Sequence, residues 1–232
     1  MFKNSTIFRN NTPVSTNIII INALIWGACM ILERKGVDLL NILGLHFVTA
    51  SDFKLYQFFT YMFAHSTTSI AHLFFNMFAV FMFGRIIEST WGSARYLTYY
   101  LITGIGAGII QQLAWWYDLY PVLSSAAEMI RFDNGEVMFK AAYLNHFVTV
   151  GASGSVFGIL LAFGMMYPNV PLYIMFIPIP VKAKYVVIGY GVIELFSGIA
   201  NFSGDNIAHF AHLGGMLFGY ILIKIWQRRA TK

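Results

Sequence analysis

The chain has 232 residues, of which 58% are hydrophobic and 11% are charged, and its formal net charge is +5. Soluble domains carry about 25% charged residues, and a soluble chain of this size could not hide so much apolar surface from water. This composition excludes an ordinary soluble domain and predicts a polytopic protein whose solvent is the lipid bilayer.

Residues 1–15 are polar and are predicted to form a short cytoplasmic tail. The apolar run that follows lacks a small-residue cleavage site, so we interpret it as a first span rather than a signal peptide. Continuously apolar segments of about 20 residues, without period-two alternation, indicate transmembrane helices rather than strands. The sequence therefore predicts an all-α, six-transmembrane-helix bundle forming one membrane domain over residues 16–228. Its predicted spans are 16–34, 70–90, 94–117, 151–168, 184–201 and 206–227.

The basic residues indicate how the six spans are oriented. An even number of spans puts both termini on one side, and cytoplasmic termini place ten of the 15 basic residues inside, as the positive-inside rule requires. The ten are Lys3, Arg9, Arg85, Arg95, Lys182, Lys184, Lys224, Arg228, Arg229 and Lys232. We expect an integral protein of the cell (inner) membrane with both termini cytoplasmic. The sequence lacks a basic stripe with interleaved aromatic residues, so it does not indicate a nucleic-acid partner.

Two connections between the predicted spans are long. Residues 35–69 are aromatic-rich and only moderately polar, which favours a segment lying half-buried in the outer interface. Residues 118–150 are more polar and contain Asp133-Asn134-Gly135, which predicts a turn.

The fourth predicted span opens with a serine among small residues. Residues 151–155 have the sequence GASGS, and Gly154, Gly158 and Ala162 continue as a stripe spaced by four that favours close helix packing. Ser153 lies in the first helical turn, where unpaired backbone N–H groups and the positive end of the helix dipole would face an oxyanion.

The sixth predicted span carries a histidine in a similar stripe. Ala208, His212, Gly215 and Gly219 share a helix face by their i, i+4, i+7 and i+11 spacing. Two such stripes would bring the Ser153 hydroxyl and the His212 imidazole within hydrogen-bond reach, which is the minimal arrangement for activating a serine.

The second predicted span contributes a third polar group. His72 and Asn76 form an i, i+4 pair on one helix face. Both side chains can donate hydrogen bonds, and they are of the types that build oxyanion holes.

Each of these signals has a plainer interpretation. Small-residue stripes usually serve helix packing, and GxSG alone is a weak signal. An intramembrane histidine often serves a helix-to-helix hydrogen bond or a proton path. A metal site is a further alternative, with His65, His72, His209 and His212 as its ligands. Against a metal, no carboxylate or cysteine accompanies these histidines at ligand spacing, and the HExxH pattern is absent.

Taken together, the three motifs resemble those of the rhomboid intramembrane serine proteases. The order is the same, and the similarity runs from roughly residue 50 to 222. The matching motifs are His72-Leu-Phe-Phe-Asn76 for HxxxN, Gly151-Ala-Ser153-Gly154 for GxSG, and Ala211-His212-Leu213-Gly214-Gly215 with Gly219 for AHxxGxxxG. Gln111-Gln112 in the third predicted span also resembles a glutamine of bacterial members.

The resemblance implies a serine endopeptidase that cleaves transmembrane or membrane-proximal segments of single-span membrane proteins. Ser153 would be the nucleophile and His212 the base, in a dyad with no third acidic member; Asp205 is the acidic residue near His212 in sequence. His72, Asn76 and the backbone N–H of Ser153 would stabilise the tetrahedral intermediate. No metal or organic cofactor is implied. The supporting candidates are Gly151, Gly154, His209 and Gln111.

Two features depart from the family pattern. Tyr56-Gln57 stands where members often have Trp-Arg, and residues 118–150 are longer than the corresponding connection of many bacterial members. We expect this longer connection to restrict the outer mouth of the site. The rival interpretation is a catalytically silent relative that binds membrane helices. A transporter would be expected to show paired broken helices in inverted halves, and the sequence does not show them.

Overall fold

A computed structural model of the chain describes residues 12–173, 179–200 and 208–230. Within these ranges the protein is mostly helical. The predicted cytoplasmic tail falls almost wholly outside the described residues, together with Asp205, Lys232 and the boundary predicted between the fifth and sixth spans.

The elements of the described ranges are helices of very different lengths and short strands. In chain order they are α1 (Pro13–Glu33), α2 (Leu39–Leu43), α3 (Gln57–Thr60), a 3-10 turn (Tyr61–Phe63), α4 (Ile70–Ala79), a π-helical turn (Val80–Gly84), α5 (Arg85–Trp91), α6 (Ser93–Asp118), α7 (Tyr120–Ser124), α8 (Lys140–Asn145), α9 (Ser153–Met166), α10 (Ala183–Ala200) and α11 (His209–Ala230). The strands are β1 (Leu45–His46), β2 (Met129–Arg131), β3 (Val137–Phe139), β4 (Val148–Thr149), β5 (Pro171–Leu172) and β6 (Val181–Lys182), and they pair antiparallel as β1–β4, β2–β3 and β5–β6.

Among the described residues, three helices are long and apolar enough to cross a bilayer. They are α1, the continuous helix Ile70–Trp91 that contains α4 and α5, and α10. Helix α9 is apolar but has 14 residues, or about 21 Å of helix. Helices α6 and α11 have 26 and 22 residues but carry many tyrosine, glutamine, histidine or basic side chains. The structure thus offers three candidate spans, and the count of six stays a prediction.

The core of the bundle forms where α11 packs against α6 and α9, its two most extensive partners. Gly215 makes the second contact possible, because a Cβ there would collide with the backbone carbonyl of Gly154. The two helices therefore touch backbone to backbone, as small-residue stripes allow in membrane helices. This contact fixes how the first turn of α9 lies against the first turns of α11.

The segment between α1 and α4 is held by two buried glutamines. Gln57 Oε1 accepts from the backbone N–H of Lys54 at 3.0 Å and of His46 at 3.3 Å. Gln112 of α6 accepts from Val48 N and donates to His46 O, both at 2.8 Å. Gln57 thus holds this segment in place by hydrogen bonds to the segment's own backbone.

The connection between α6 and α9 packs against the same segment. Strand β1 pairs with β4, and Phe47 N donates to Phe147 O at 2.9 Å. Phe47 is buried with Leu119 and Leu144 in a small separate core. Between β2 and β3 the chain turns at residues 133–135, where Gly135 has φ +88°, a conformation that favours glycine. The effect of this connection on access to the site stays a prediction.

A buried carboxylate closes the junction where α1 begins and α5 ends. Glu88 Oε1 accepts from Val14 N at 3.0 Å and from Ser93 Oγ at 2.7 Å. Its Oε2 accepts from Ser15 N at 2.8 Å and from Ser15 Oγ at 2.7 Å. The first N–H groups of a helix lack intrahelical partners and attract negative charge. Glu88 therefore caps α1 from 73 residues away along the chain.

Candidate active site

The turn before α9 places Ser153 at the start of that helix. Gly151 has φ +134°, which favours glycine, and its N–H donates to Tyr61 O at 2.9 Å. A Cβ at Gly151 would lie 2.9 Å from His72 Nε2 and 3.6 Å from Ser153 Oγ. Gly151 is therefore the point where the His72 ring and the Ser153 hydroxyl approach the same stretch of backbone.

His65 supports this turn from the preceding segment. It is fully buried, and its Nε2 accepts from Ala152 N at 3.4 Å. Burial, reinforced by repulsion from the neighbouring His72 imidazole, lowers the pKa of His65 to about 3. His65 is consequently neutral at physiological pH, which leaves its Nε2 able to accept the hydrogen bond.

Ser153 and His212 lie in direct contact. Ser153 Oγ is 2.8 Å from His212 Nε2. The Phe157 ring, one turn along α9, stacks on the imidazole with centroids 4.3 Å apart and planes 8° apart. If Nε2 is to accept the serine proton, the neutral ring must carry its own proton on Nδ1. The geometry therefore makes the environment of Nδ1 decisive.

That environment contains a carboxylate. Glu194 of α10 is buried, and its Oε2 lies 2.9 Å from His212 Nδ1 and 2.6 Å from His209 Nδ1. The contact with His212 is short but bent, and among the described residues this Nδ1 has no aligned hydrogen-bond partner. Catalytic hydrogen bonds are often poorly aligned before substrate binds. An acidic group thus lies beside His212 Nδ1, where the resemblance implies no acidic residue.

The resemblance implies a dyad with no third acidic member, and along the chain no carboxylate stands at ligand spacing from the histidines. Glu194 does accompany them in space, because α10 packs against α11. Sequence spacing along a single helix could not reveal a contact between two helices. The signal available was a lone glutamate inside an apolar span, where a charge costs free energy unless it has a partner.

The same three side chains could hold a metal ion. Glu194, His209 and His212 each offer one ligand atom, and these atoms lie within 4.8 Å of one another. Two imidazoles and a carboxylate form a ligand set typical of zinc. The sequence argument against a metal rested on spacing along the chain, so it does not apply to this set. The expected absence of a metal stays a prediction.

The structure places the two residues assigned to the oxyanion hole differently. The His72 ring adjoins Gly151, and it makes an edge contact with His65 at 4.9 Å between centroids. Asn76 is buried one turn further along α4, and its Nδ2 donates to His72 O at 2.8 Å. An amide carries two N–H donors, and among the described residues one of the two is taken by His72 O.

The supporting candidates are only partly assembled at the site. Gly154 touches Gly215, and His209 shares Glu194 with His212. Gln111 is buried on α6, and among the described groups its Oε1 has no hydrogen-bond partner. Its neighbour Gln112 is the glutamine that ties α6 to the interfacial segment.

The apolar helices define a helical membrane protein, and comparison with known sequences gives its family. Residues 52–229 match the Rhomboid domain, so the chain belongs to the rhomboid family. It is similar to Rhomboid-like protein 11, chloroplastic, of Arabidopsis thaliana, with 28% identity over 176 residues, covering 72% of this chain and 51% of that protein. It is also similar to RHOMBOID-like protein 12, mitochondrial, of the same plant, with 27% identity over 164 residues, covering 70% and 44%. The chain thus spans about half the length of these relatives.

Proposed function

We propose that the protein is an intramembrane serine endopeptidase that cleaves transmembrane or membrane-proximal segments of single-span membrane proteins. The observation that carries this proposal is the 2.8 Å contact between Ser153 Oγ and His212 Nε2 at the beginning of α9. Membership of the rhomboid family supports it. The alternative, a silent relative that binds membrane helices without cutting them, would need neither the contact nor its alignment.

The reaction begins with attack on the scissile carbonyl. Ser153 Oγ forms a bond to the carbonyl carbon while His212 Nε2 accepts the hydroxyl proton. The resulting imidazolium gives that proton to the departing amine, and the acyl-enzyme remains. A water molecule then repeats the sequence and releases the acid. A substrate helix must unwind locally to reach Ser153, so glycine near the cut site should favour cleavage, because it weakens the helix.

The tetrahedral intermediate carries a negative oxygen that needs donors. The Ser153 N–H lies in the first turn of α9, where backbone donors are unpaired and the helix dipole is positive. The second N–H of the Asn76 amide and the His72 ring are the side-chain donors assigned to the same oxygen. Donors of this kind each contribute a factor of about 10² to 10³ in kcat.

The membrane arrangement forms part of the proposal. We place six spans in an integral cell membrane, with both termini cytoplasmic and residues 118–150 outside. A single cysteine can be introduced at Asn134 or at Lys232 after replacing Cys29, the chain's one cysteine, with alanine. In intact bacterial cells an impermeant maleimide should label the cysteine at 134 and spare that at 232. Labelling of both in intact cells would contradict this arrangement.

The activity is tested with purified protein in detergent and a single-span substrate. Wild type is compared with Ser153→Ala and His212→Ala, both of which should abolish cutting while remaining folded. Ser155→Ala is the matched control, because Ser155 lies two residues away and its Oγ donates instead to Tyr100 O at 2.8 Å. Ser155→Ala should keep the wild-type activity per folded molecule.

Two results would refute the proposal. Cutting that survives Ser153→Ala would place the nucleophile elsewhere. Failure of the wild type to cut several substrates, combined with failure of a fluorophosphonate to label Ser153, would favour the silent binding protein.

A further inference from the structure

The fifth predicted span holds an acidic side chain that the proposed reaction does not yet use. Glu194 is 8% exposed, and a carboxylate in such a place is costly unless it is paired. Among the described residues, the basic groups within 4.0 Å of it are two imidazoles, those of His209 and His212. Both rings turn Nδ1, rather than Nε2, toward the same oxygen. The carboxylate thus faces the side of His212 that is opposite Ser153.

We propose that Glu194 is a positioning residue of the active site: its carboxylate holds His212 in the tautomer that carries the proton on Nδ1 and stabilises the imidazolium formed when Ser153 attacks. Ser153, His212 and Glu194 then act as a triad assembled from α9, α11 and α10. This inference rests on the proposed function, because it assigns a role within that reaction.

The geometry gives the reason for this role. Nε2 of His212 can accept the serine proton only while Nδ1 carries the other proton, and Glu194 Oε2 is the acceptor 2.9 Å from Nδ1. The Phe157 ring stacks on one face of the His212 imidazole and so limits tilting of the imidazole out of its plane. During attack the ring becomes positive, and a carboxylate at this distance lowers the free energy of that state in a poorly solvated site.

His209 explains why the carboxylate can remain in place. Its Nδ1 lies 2.6 Å from the same Oε2, one helical turn before His212 on α11. A second donor on this oxygen offsets part of the cost of burying the charge. His209 therefore belongs to the support of Glu194 and not to the group that exchanges a proton with Ser153.

The decisive variant is Glu194→Gln, which keeps the size of the side chain and one acceptor oxygen but removes the charge. Loss of the charge at the acidic member of a Ser-His-Asp triad lowers kcat by about 10⁴-fold. The contact here is less well aligned, so we expect a loss of at least about tenfold in kcat with little change in KM. The rate at which a fluorophosphonate labels Ser153 should fall in parallel, since that reaction needs no substrate binding.

Two control variants separate this role from a structural one. Glu88 is also buried, but among the described residues its donors are backbone N–H and serine O–H groups, so Glu88→Gln should leave the labelling rate per folded molecule unchanged. Asp205→Asn removes the acidic group nearest to His212 in sequence and should also leave the rate unchanged. A slower rate in Asp205→Asn with a normal rate in Glu194→Gln would overturn the proposal.

A measurement on the wild type keeps the test independent of whether Glu194→Gln folds. Nitrogen-15 spectra of histidine-labelled protein, with His212 assigned by comparison with His212→Gln, should show the proton on Nδ1. A proton on Nε2, or a wild-type rate of labelling in folded Glu194→Gln, would overturn the proposal. So would loss of wild-type activity on treatment with EDTA, because the three side chains would then be metal ligands. If Ser153 is labelled normally in the wild type, any of these failures concerns Glu194 alone and leaves the proposed function standing.

Discussion

Two buried glutamates occupy two ends of the described bundle, and their surroundings differ in kind. Glu88 lies where α1 begins, and in the described part of the chain its two oxygens accept four hydrogen bonds from backbone N–H and serine O–H groups. Glu194 lies where α9 and α11 begin, and one of its oxygens faces two imidazoles. The described donors to Glu88 are backbone amides and hydroxyls, which do not exchange a proton near neutral pH, whereas an imidazole side chain can gain or lose one there.

The difference shows how burial of the same side chain can serve structure or chemistry. A carboxylate that accepts hydrogen bonds from neutral donors holds together the helices that carry those donors. A carboxylate beside imidazoles is coupled to the proton that an imidazole gains or loses. We therefore expect substitutions around Glu88 to alter the stability of the protein, and substitutions around Glu194 to alter the reactivity of Ser153.

The largest effect on stability is expected from Glu88→Ala. It leaves the first N–H groups of α1 and two serine hydroxyls without their acceptor, and each buried donor left unsatisfied costs about 1 to 3 kcal/mol. Unfolding in a denaturing detergent mixture measures the loss. The rate at which a fluorophosphonate labels Ser153 in the folded fraction should be unchanged. A slower rate in that fraction would contradict a purely structural role of Glu88.

At the end of the bundle that holds Glu194, the substitution Gly215→Ala should lower both the stability of the protein and the reactivity of Ser153. In Gly215→Ala the new Cβ meets the backbone carbonyl of Gly154, so α11 must move away from α9, at a cost of about 3 kcal/mol. Because Ser153 and His212 lie on these two helices, labelling of Ser153 should also slow. Gly189→Ala serves as the control, since a Cβ there meets nothing within 4 Å. Normal labelling in Gly215→Ala would show that the helix contact does not set the Ser–His distance.

The turn before Ser153 should make stability depend on pH. His65 has a folded pKa of about 3 against an ordinary value of 6.5, so between these values the unfolded chain binds a proton that the folded chain does not. Its contribution is complete above pH 6.5 and falls as the pH is lowered, by about 2 kcal/mol at pH 5. The thermal midpoint should drop between pH 7 and pH 5, and less so in His65→Gln. The exposed His146 provides the control His146→Gln, which should keep the full drop; equal drops in all three proteins would contradict the assignment.

The smallest expected effect distinguishes the two adjacent glutamines of α6. Gln112→Ala removes two hydrogen bonds to the backbone of the interfacial segment and should cost about 1 to 2 kcal/mol. Gln111→Ala should cost less, because the Oε1 of Gln111 has no partner among the described residues. Urea or detergent unfolding of the two variants decides the order. The reverse order would show that Gln111 is the structurally important glutamine.

Several parts of the fold could be predicted from the sequence because they depend on neighbours along one helix. The apolar runs locate the long helices, and the spacing of Gly154, Gly158 and Ala162 marks the face of α9 that receives another helix. The residues Asp133-Asn134-Gly135 indicate a turn because of local backbone preference. Ser153 and His212 emerge as partners because each stands in a small-residue stripe of its own helix.

What only the tertiary structure decided are the contacts between helices far apart in sequence. Glu88 reaches Ser15 across 73 residues, and Glu194 reaches His212 from a different helix. Such contacts depend on how each helix is rotated about its axis and how far it is shifted along it. Helical periodicity determines which residues share a face, but it leaves these rotations and shifts open until the helices pack. For this reason the sequence by itself indicated a serine and its base, while the acidic group beside them became visible only in the packed bundle.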